Sequence, residues 1–132
     1  MTESFFTLHH NSIYVADVDR SAEFYARVLG LTEIPNRVGR SHIRWFDLDG
    51  LRSIHLIGGE QVARERQFST HFALATKRFD EFLARLAEHG VVHIDLARKP
   101  GGVHVRADGV RQTYFQDPDG HWIEINDAVS GP

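Results

Sequence analysis

The sequence predicts an α+β fold built from two βαβββ modules, each a mostly antiparallel sheet with its helix outside. Three observations carry this prediction. The order strand, helix, strand, strand, strand runs through residues 8–57 and again through 69–125. Each predicted helix stops at a glycine, Gly30 and Gly90, the residue that turns left-handed after a last helical turn without a Cβ penalty. The two helices also share letters, Glu23-Phe24-Tyr25-Ala26-Arg27 against Glu81-Phe82-Leu83-Ala84-Arg85.

The elements follow in order. Residues 8–16 read as a strand with Asn11, Ile13 and Val15 on one face and His10, Ser12 and Tyr14 on the other. On that strand His9 is expected to point away from His10. Asp17 and Asp19 offer helix caps, and Ser21 to Leu29 is the helix. Strands are expected at 31–35, 42–48 and 52–57, the last two joined through Asp49-Gly50, a hairpin signal. In the last of them Ser53, His55 and Ile57 share a face. Residues 59–67 form the linker between modules 5–58 and 68–127, which together make one domain over 1–132. The second module repeats the plan. It has a strand at 69–76 with His71, Ala73 and Ala75 on one face, a helix at 79–89 and strands at 91–96, 103–106 and 110–116. After the tight turn Asp117-Pro118-Asp119-Gly120 comes the closing strand, with Ile123 and Ile125 on one face and Trp122, Glu124 and Asn126 on the other.

Composition narrows the function classes. The chain has 132 residues, of which 42% are hydrophobic and 25% charged, an ordinary globular mix. A net charge of −3 gives no electrostatic case for nucleic acid or an anionic membrane. No apolar run is long enough for a membrane span, and no apolar leader opens the chain, so a cytoplasmic protein is expected. With no cysteine there is no disulfide, no thiolate zinc site and no cysteine nucleophile. The nine histidines are many for this length.

Duplication sets His10 and His71 at matching places on the first strand of each module, and His55 and Glu124 at matching places on the last. All four are expected on the face opposite the helix. Imidazole nitrogens and a carboxylate oxygen bind divalent ions at about 2.0–2.2 Å, and two histidines with one carboxylate make a triad that leaves positions open for substrate.

These residues carry a resemblance. His10 to Asp17, Arg20-Ser21, Phe24-Tyr25, Val28-Leu29-Gly30, Ile54-His55-Leu56, His71 to Leu74, and Asp117-Pro118-Asp119-Gly120 with Glu124 resemble the vicinal-oxygen-chelate superfamily of glyoxalases, bleomycin-resistance proteins and extradiol dioxygenases. The resemblance spans nearly the whole chain. It implies a glyoxalase-like fold, a cup-shaped sheet around one divalent metal (Zn, Ni, Mn, Co or Fe(II)). It puts His10, His71 and Glu124 in the usual ligand positions and His55 in the fourth, variable one. It makes Glu124 and His55 the catalytic candidates, with Tyr14, Trp122 and Tyr114 lining the substrate pocket.

The sequence also departs from the family. Glyoxalase I usually has a glutamate where His55 stands, and a glutathione-binding arginine where Tyr14 stands. The potassium loop of the fosfomycin enzymes is replaced by Gly109-Val110-Arg111-Gln112-Thr113. The leading expectation is lyase or isomerase chemistry on a small substrate that chelates the metal through neighbouring oxygens. An extradiol-type Fe(II) dioxygenase and a metal-free, ligand-sequestering binding protein are the alternatives. The resemblance also implies a homodimer, with sites shared between chains.

Overall fold

The computed structural model describes residues 4–59 and 66–128. The chain divides into two compact units, Met1–Ala63 and Arg64–Pro132. Most of the expected linker, residues 60–65, lies outside the described residues.

The first unit runs β1 (His10–Val15), α1 (Val18–Arg27), β2 (Thr32–Ile34), β3 (Ile43–Asp47) and β4 (Ser53–Gly58). Its strands are ordered β1-β4-β3-β2. The crossover through α1 lets β1 pair β4 in parallel, and the short returns make the other pairs antiparallel. The second unit runs β5 (His71–Ala75), α2 (Phe79–Glu88), β6 (His104–Val105), β7 (Arg111–Gln116) and β8 (Trp122–Asn126), ordered β5-β8-β7-β6 with β5 parallel to β8. No helix among the described residues is long and apolar enough to cross a membrane.

Local chemistry explains the helix ends. The Asp17 carboxylate accepts from the N–H groups of Asp19 at 3.0 Å and Arg20 at 3.2 Å, so α1 starts at Val18 rather than Ser21. Gly30 and Gly90 take positive φ angles of 72° and 67°. The N–H groups that follow them close the helices by donating from Leu31 to the Tyr25 carbonyl and from Val91 to the Leu86 carbonyl.

Alternation fixes which faces are buried. Val15, Phe46, Ile54 and Leu56 pack with Ala22 and Tyr25 of α1 in the first unit's core, while Phe115, Ile123, Ile125, Phe79 and Leu86 are buried in the second. Each of the Val, Leu, Ile and Phe side chains contributes about 1.5–3 kcal/mol of burial, and together they pin the sheet register.

The shared helix letters do not mark the structural correspondence. Counted from the first residue of the first strand, His10 or His71, both helices begin at the same spacing, so Val18 answers to Phe79 and Tyr25 to Leu86. Tyr25 and Leu86 are both fully buried. Glu23 therefore stands opposite Ala84, not Glu81, because packing against the sheet sets the repeat.

One predicted strand is corrected. Residues 91–96 form no strand, and only Ile94 bridges, to Tyr114 and to Pro100. Its place beside Tyr114 is the place Ile34 takes beside Trp45 in the first unit. Beyond Ile94 the backbone spends its hydrogen bonds locally. Arg98 N–H donates to the Asp95 carbonyl, Lys99 N–H donates to the Asp95 carboxylate, and Arg98 adopts φ 65°. The chain turns there before a ladder can extend.

Candidate functional site

In the second unit one face of the sheet collects polar side chains. Alternation on β5, β8 and β7 puts His71, Trp122, Glu124, Asn126, Gln112 and Tyr114 on it, with Ala73 and Tyr114 as the register partners of Glu124. The turn that launches β8 is held by Asp117, whose carboxylate accepts from the N–H groups of Asp119 at 3.0 Å and His121 at 2.9 Å. Glu124 is only 6% exposed. Its Oε2 accepts from Asn126 Nδ2 at 2.7 Å and Gln112 Nε2 at 3.1 Å. Its Oε1 lies 3.2 Å from His71 Nε2. Burial first, then the Glu124 charge and its hydrogen bond, push the Tyr114 phenol up to about 12.

The tautomer of His71 follows from its other nitrogen. Nδ1 lies 3.0 Å from the Phe68 carbonyl, which only accepts, so Nδ1 carries a proton. In a neutral ring Nε2 then presents its lone pair to the Glu124 carboxylate. Two electron-rich atoms at that distance need a proton or a cation between them. An imidazole oriented through its distal N–H to a carbonyl is also the usual state of a metal-bound histidine. An imidazole nitrogen and a carboxylate oxygen are donor types that a divalent ion takes.

The first unit arranges its side chains differently. His55 is sandwiched between His10 (centroids 4.1 Å apart, planes 10° apart) and Trp45 (4.1 Å, 5°). Ser53 Oγ is 3.0 Å from His55 Nε2. Burial first, then the neighbouring His10 and His9, pull the His55 imidazole down to about 4, so the ring is neutral at physiological pH. Nitrogen lone pairs lie in the ring plane. Stacked rings keep them in two near-parallel planes, which share no point about 2.0–2.1 Å from both nitrogens. Stacked as they are, one of His10 and His55 can meet a given ion, but not both. His9 does not turn away from His10 as strand alternation implied. It precedes β1, where alternation does not hold it, and its Nδ1 is 2.9 Å from His10 Nδ1.

Register makes the two units correspond. Ser12 pairs with His55 on β1 and β4, and Ala73 with Glu124 on β5 and β8, with His10 and His71 two residues earlier on their strands. Trp45 pairs with His55 as Tyr114 pairs with Glu124. The structure therefore brings together His10 with His55 and His71 with Glu124. Among the described residues no three His, Asp or Glu side chains gather as a group able to hold a metal.

The expected pocket residues differ in setting. Tyr114 is buried and Trp122 half-buried, and both rings pack on Phe68, with centroids 4.7 and 4.9 Å away. Tyr14 shares the His10 face of β1 but is 57% exposed. Phe68, Gln112 and the stacking of Trp45 on His55 are additions of the structure. Alternation around His55 and Glu124 was the signal for Ser53 and for Asn126. Nothing short of the β7–β8 register pointed to Gln112.

Comparisons with known proteins agree with this architecture. The pattern of the Glyoxalase/Bleomycin resistance protein/Dioxygenase superfamily matches residues 7–125. A curated protein named Glyoxylase I 4, from Arabidopsis thaliana, is 29% identical over 96% of this chain and 73% of its own length. Metallothiol transferase FosB from Shouchella clausii (strain KSM-K16) is 27% identical over 90% of this chain and 78% of its own. Among solved structures, Oxidase ChaP-H1 is 31% identical with a TM-score of 0.74, covering 96% of this chain and 99% of that one. Oxidase ChaP-H2 is 26% identical with a TM-score of 0.77, covering 97% and 98%. The resemblance and the two-module α+β fold read from the sequence are borne out.

Proposed function

The chain belongs to the Glyoxalase/Bleomycin resistance protein/Dioxygenase superfamily, and from that footing we propose that it is a divalent-metal-dependent enzyme acting on a small substrate with two neighbouring oxygens. His10, His71 and Glu124 are the proposed ligands. The observation that carries this reading is His71, which holds the Phe68 carbonyl through Nδ1 and faces Glu124 Oε1 with Nε2 at 3.2 Å. His55 stands beside His10 as a neutral, stacked imidazole that fixes the His10 ring and can take a proton from substrate. Tyr114 and Trp122 are the proposed aromatic wall for the substrate. A bound divalent ion would neutralise charge on the substrate oxygens and, as Fe(II), would supply electrons to dioxygen.

Oxygen-dependent chemistry with Fe(II) is the leading reaction. It is supported by the oxidase that is 31% identical over 96% of this chain, and by a two-histidine, one-carboxylate set. Lyase or isomerase chemistry is the second reading, supported by the relative named Glyoxylase I 4. It is weakened where His55 replaces glyoxalase I's usual carboxylate and Tyr14 its arginine.

The test is metal analysis of the purified protein, followed by oxygen uptake with a catechol after Fe(II) loading. Uptake that disappears in Glu124→Ala supports the oxygen-dependent reading. Turnover of a hemithioacetal without oxygen replaces it with the second. A folded protein that takes up no Zn, Ni, Mn, Co or Fe(II), yet binds a bleomycin-like ligand, sinks both and leaves a binding protein.

The proposed assembly is a homodimer in which each site draws ligands from both chains, a two-fold arrangement with two equivalent sites. Refolding His10→Ala together with Glu124→Ala checks it. Heterodimers should regain about half their metal sites, because one site carries both defects and the other none. A monomer by sedimentation, or no recovery, assigns each site to a single chain.

A further inference from the structure

Glu124 sits in a cradle that its counterpart in the other unit lacks. Asn126 Nδ2 and Gln112 Nε2 both donate to one oxygen, Oε2, at 2.7 and 3.1 Å. The orientation of the Asn126 amide is fixed independently. The Ala128 N–H donates to Asn126 Oδ1 at 3.1 Å, which uses the oxygen end and turns the NH2 end to Glu124. The sheet sets all three side chains. Glu124 and Asn126 alternate on β8, and Gln112 is the register partner of Asn126.

The first unit is an internal control. There the corresponding register partners are Ile43 and Ile57, and His55 stands where Glu124 does. The fold alone therefore does not need amides at these positions, since two isoleucines fill them. A buried amide is costly unless its donors are used. Here one N–H of each amide, Asn126 buried and Gln112 half-buried, goes to the same carboxylate oxygen, while the other oxygen is turned to His71 Nε2 at 3.2 Å.

We propose that Gln112 and Asn126 are positioning residues that commit Glu124 Oε2, so that Glu124 meets a divalent ion through Oε1 alone. This rests on the metal-dependent reading above and deepens it. A one-oxygen carboxylate leaves a coordination position for substrate that a two-oxygen carboxylate would fill. Glu124 thereby acts as a fixed ligand, and proton transfer falls to another group.

The test copies the first unit's pair into the second, as Gln112→Ile with Asn126→Ile. Metal-free wild type and variant are titrated with Co(II) against a competing chelator, and the carboxylate binding mode is read by X-ray absorption. Wild type should bind Co(II) with a one-oxygen carboxylate. The double variant should bind about 10–100-fold more weakly, the usual effect of losing an outer hydrogen-bond partner, and shift toward a two-oxygen carboxylate. The metal-free melting temperature should fall, because Glu124 Oε2 loses both of its amide donors, so Co(II) binding is compared at a temperature where both proteins are folded. If the double variant does not fold, Gln112→Ile alone serves. Gln112 is only half-buried, and the loss should be smaller and in the same direction. Variants that bind Co(II) as tightly as wild type with an unchanged carboxylate mode overturn this inference and leave the metal reading standing. A folded wild type that binds no Co(II) overturns both.

Discussion

The two units place their key side chains at the same register positions and surround them with opposite chemistry. In the first, His55 has rings on both sides, isoleucines at the flanking pair and a serine hydroxyl at its nitrogen. In the second, Glu124 has two amides, a phenol and an imidazole. Even the matched aromatic residues differ. Tyr114 bonds Glu124, whereas Trp45 Nε1 is buried with no hydrogen-bond partner among the described residues. Backbone register sets where a group stands. Its neighbours differ with the group, since a buried carboxylate requires hydrogen-bond donors and a neutral stacked ring does not.

The comparison depends on how the units are aligned, and the core offers its largest test. If packing defines the repeat, Leu86 is the counterpart of Tyr25, and both are fully buried. Leu86→Ala should then cost about 2–5 kcal/mol and Tyr25→Ala about 3–5 kcal/mol in urea denaturation. Leu83, which the shared letters would set against Tyr25, is only half-buried. Its alanine variant should cost less than either, and a Leu83→Ala loss equal to that of Leu86→Ala would show that packing does not define the repeat.

The two faces should also answer to opposite ends of the pH scale in the metal-free protein. His55 has an ordinary value of 6.5 when unfolded and about 4 when folded. Between those values the unfolded chain binds the extra proton, so stability is lost as pH falls through that window and is regained as it rises. Tyr114 runs the other way. Its phenol holds its proton to about 12 instead of 10, so the folded state binds more proton there and stability falls as pH rises across that range. Melting temperatures against pH should show the acid limb flattened in His55→Phe and unchanged in Tyr114→Phe. Ring-labelled tyrosine NMR should show Tyr114 titrating lower in Glu124→Gln. The return should be partial, because burial is the larger cause. An acid limb that survives His55→Phe would mean another group carries it.

Much of this was legible in the sequence because period-2 alternation assigns faces without coordinates. His10, His55, His71 and Glu124 needed only the strand period and the duplication to be singled out together. What the sequence hid depended on contacts between strands distant in the chain. Gln112 reaches Glu124 only through the antiparallel β7–β8 pairing. Phe68 stands before its strand, where no periodicity speaks, yet its carbonyl orients His71. The missing strand at 91–96 has ordinary β-forming residues. It fails because the turn from Asp95 to Lys99 takes up its backbone groups. The stacking of His10 on His55 was equally invisible, since alternation says that two side chains share a face and not how their rings lie.

The smallest test concerns the entrances to the two helices. Asp17 caps α1 from φ −130°, ψ 108°, the extended geometry in which a side-chain oxygen reaches the first N–H groups. Arg78 enters α2 at φ −119°, ψ 47° with no side-chain cap. Part of the need at that end is met one step earlier, where the Arg78 N–H donates to Thr76 Oγ1 at 2.9 Å. The exposed pairing of the Arg78 guanidinium with Glu81 adds little, as surface ion pairs do. Asp17→Ala should therefore cost about 1 kcal/mol by chemical denaturation, and Arg78→Ala less than roughly 0.5 kcal/mol. Arg78→Ser offers α2 the missing acceptor, but its backbone is turned away from the extended cap geometry. Its gain should fall short of the Asp17 loss. A Ser variant that gains as much as Asp17→Ala loses would show that the backbone at Arg78 relaxes freely into a cap, and that the two entrances differ in side chain alone.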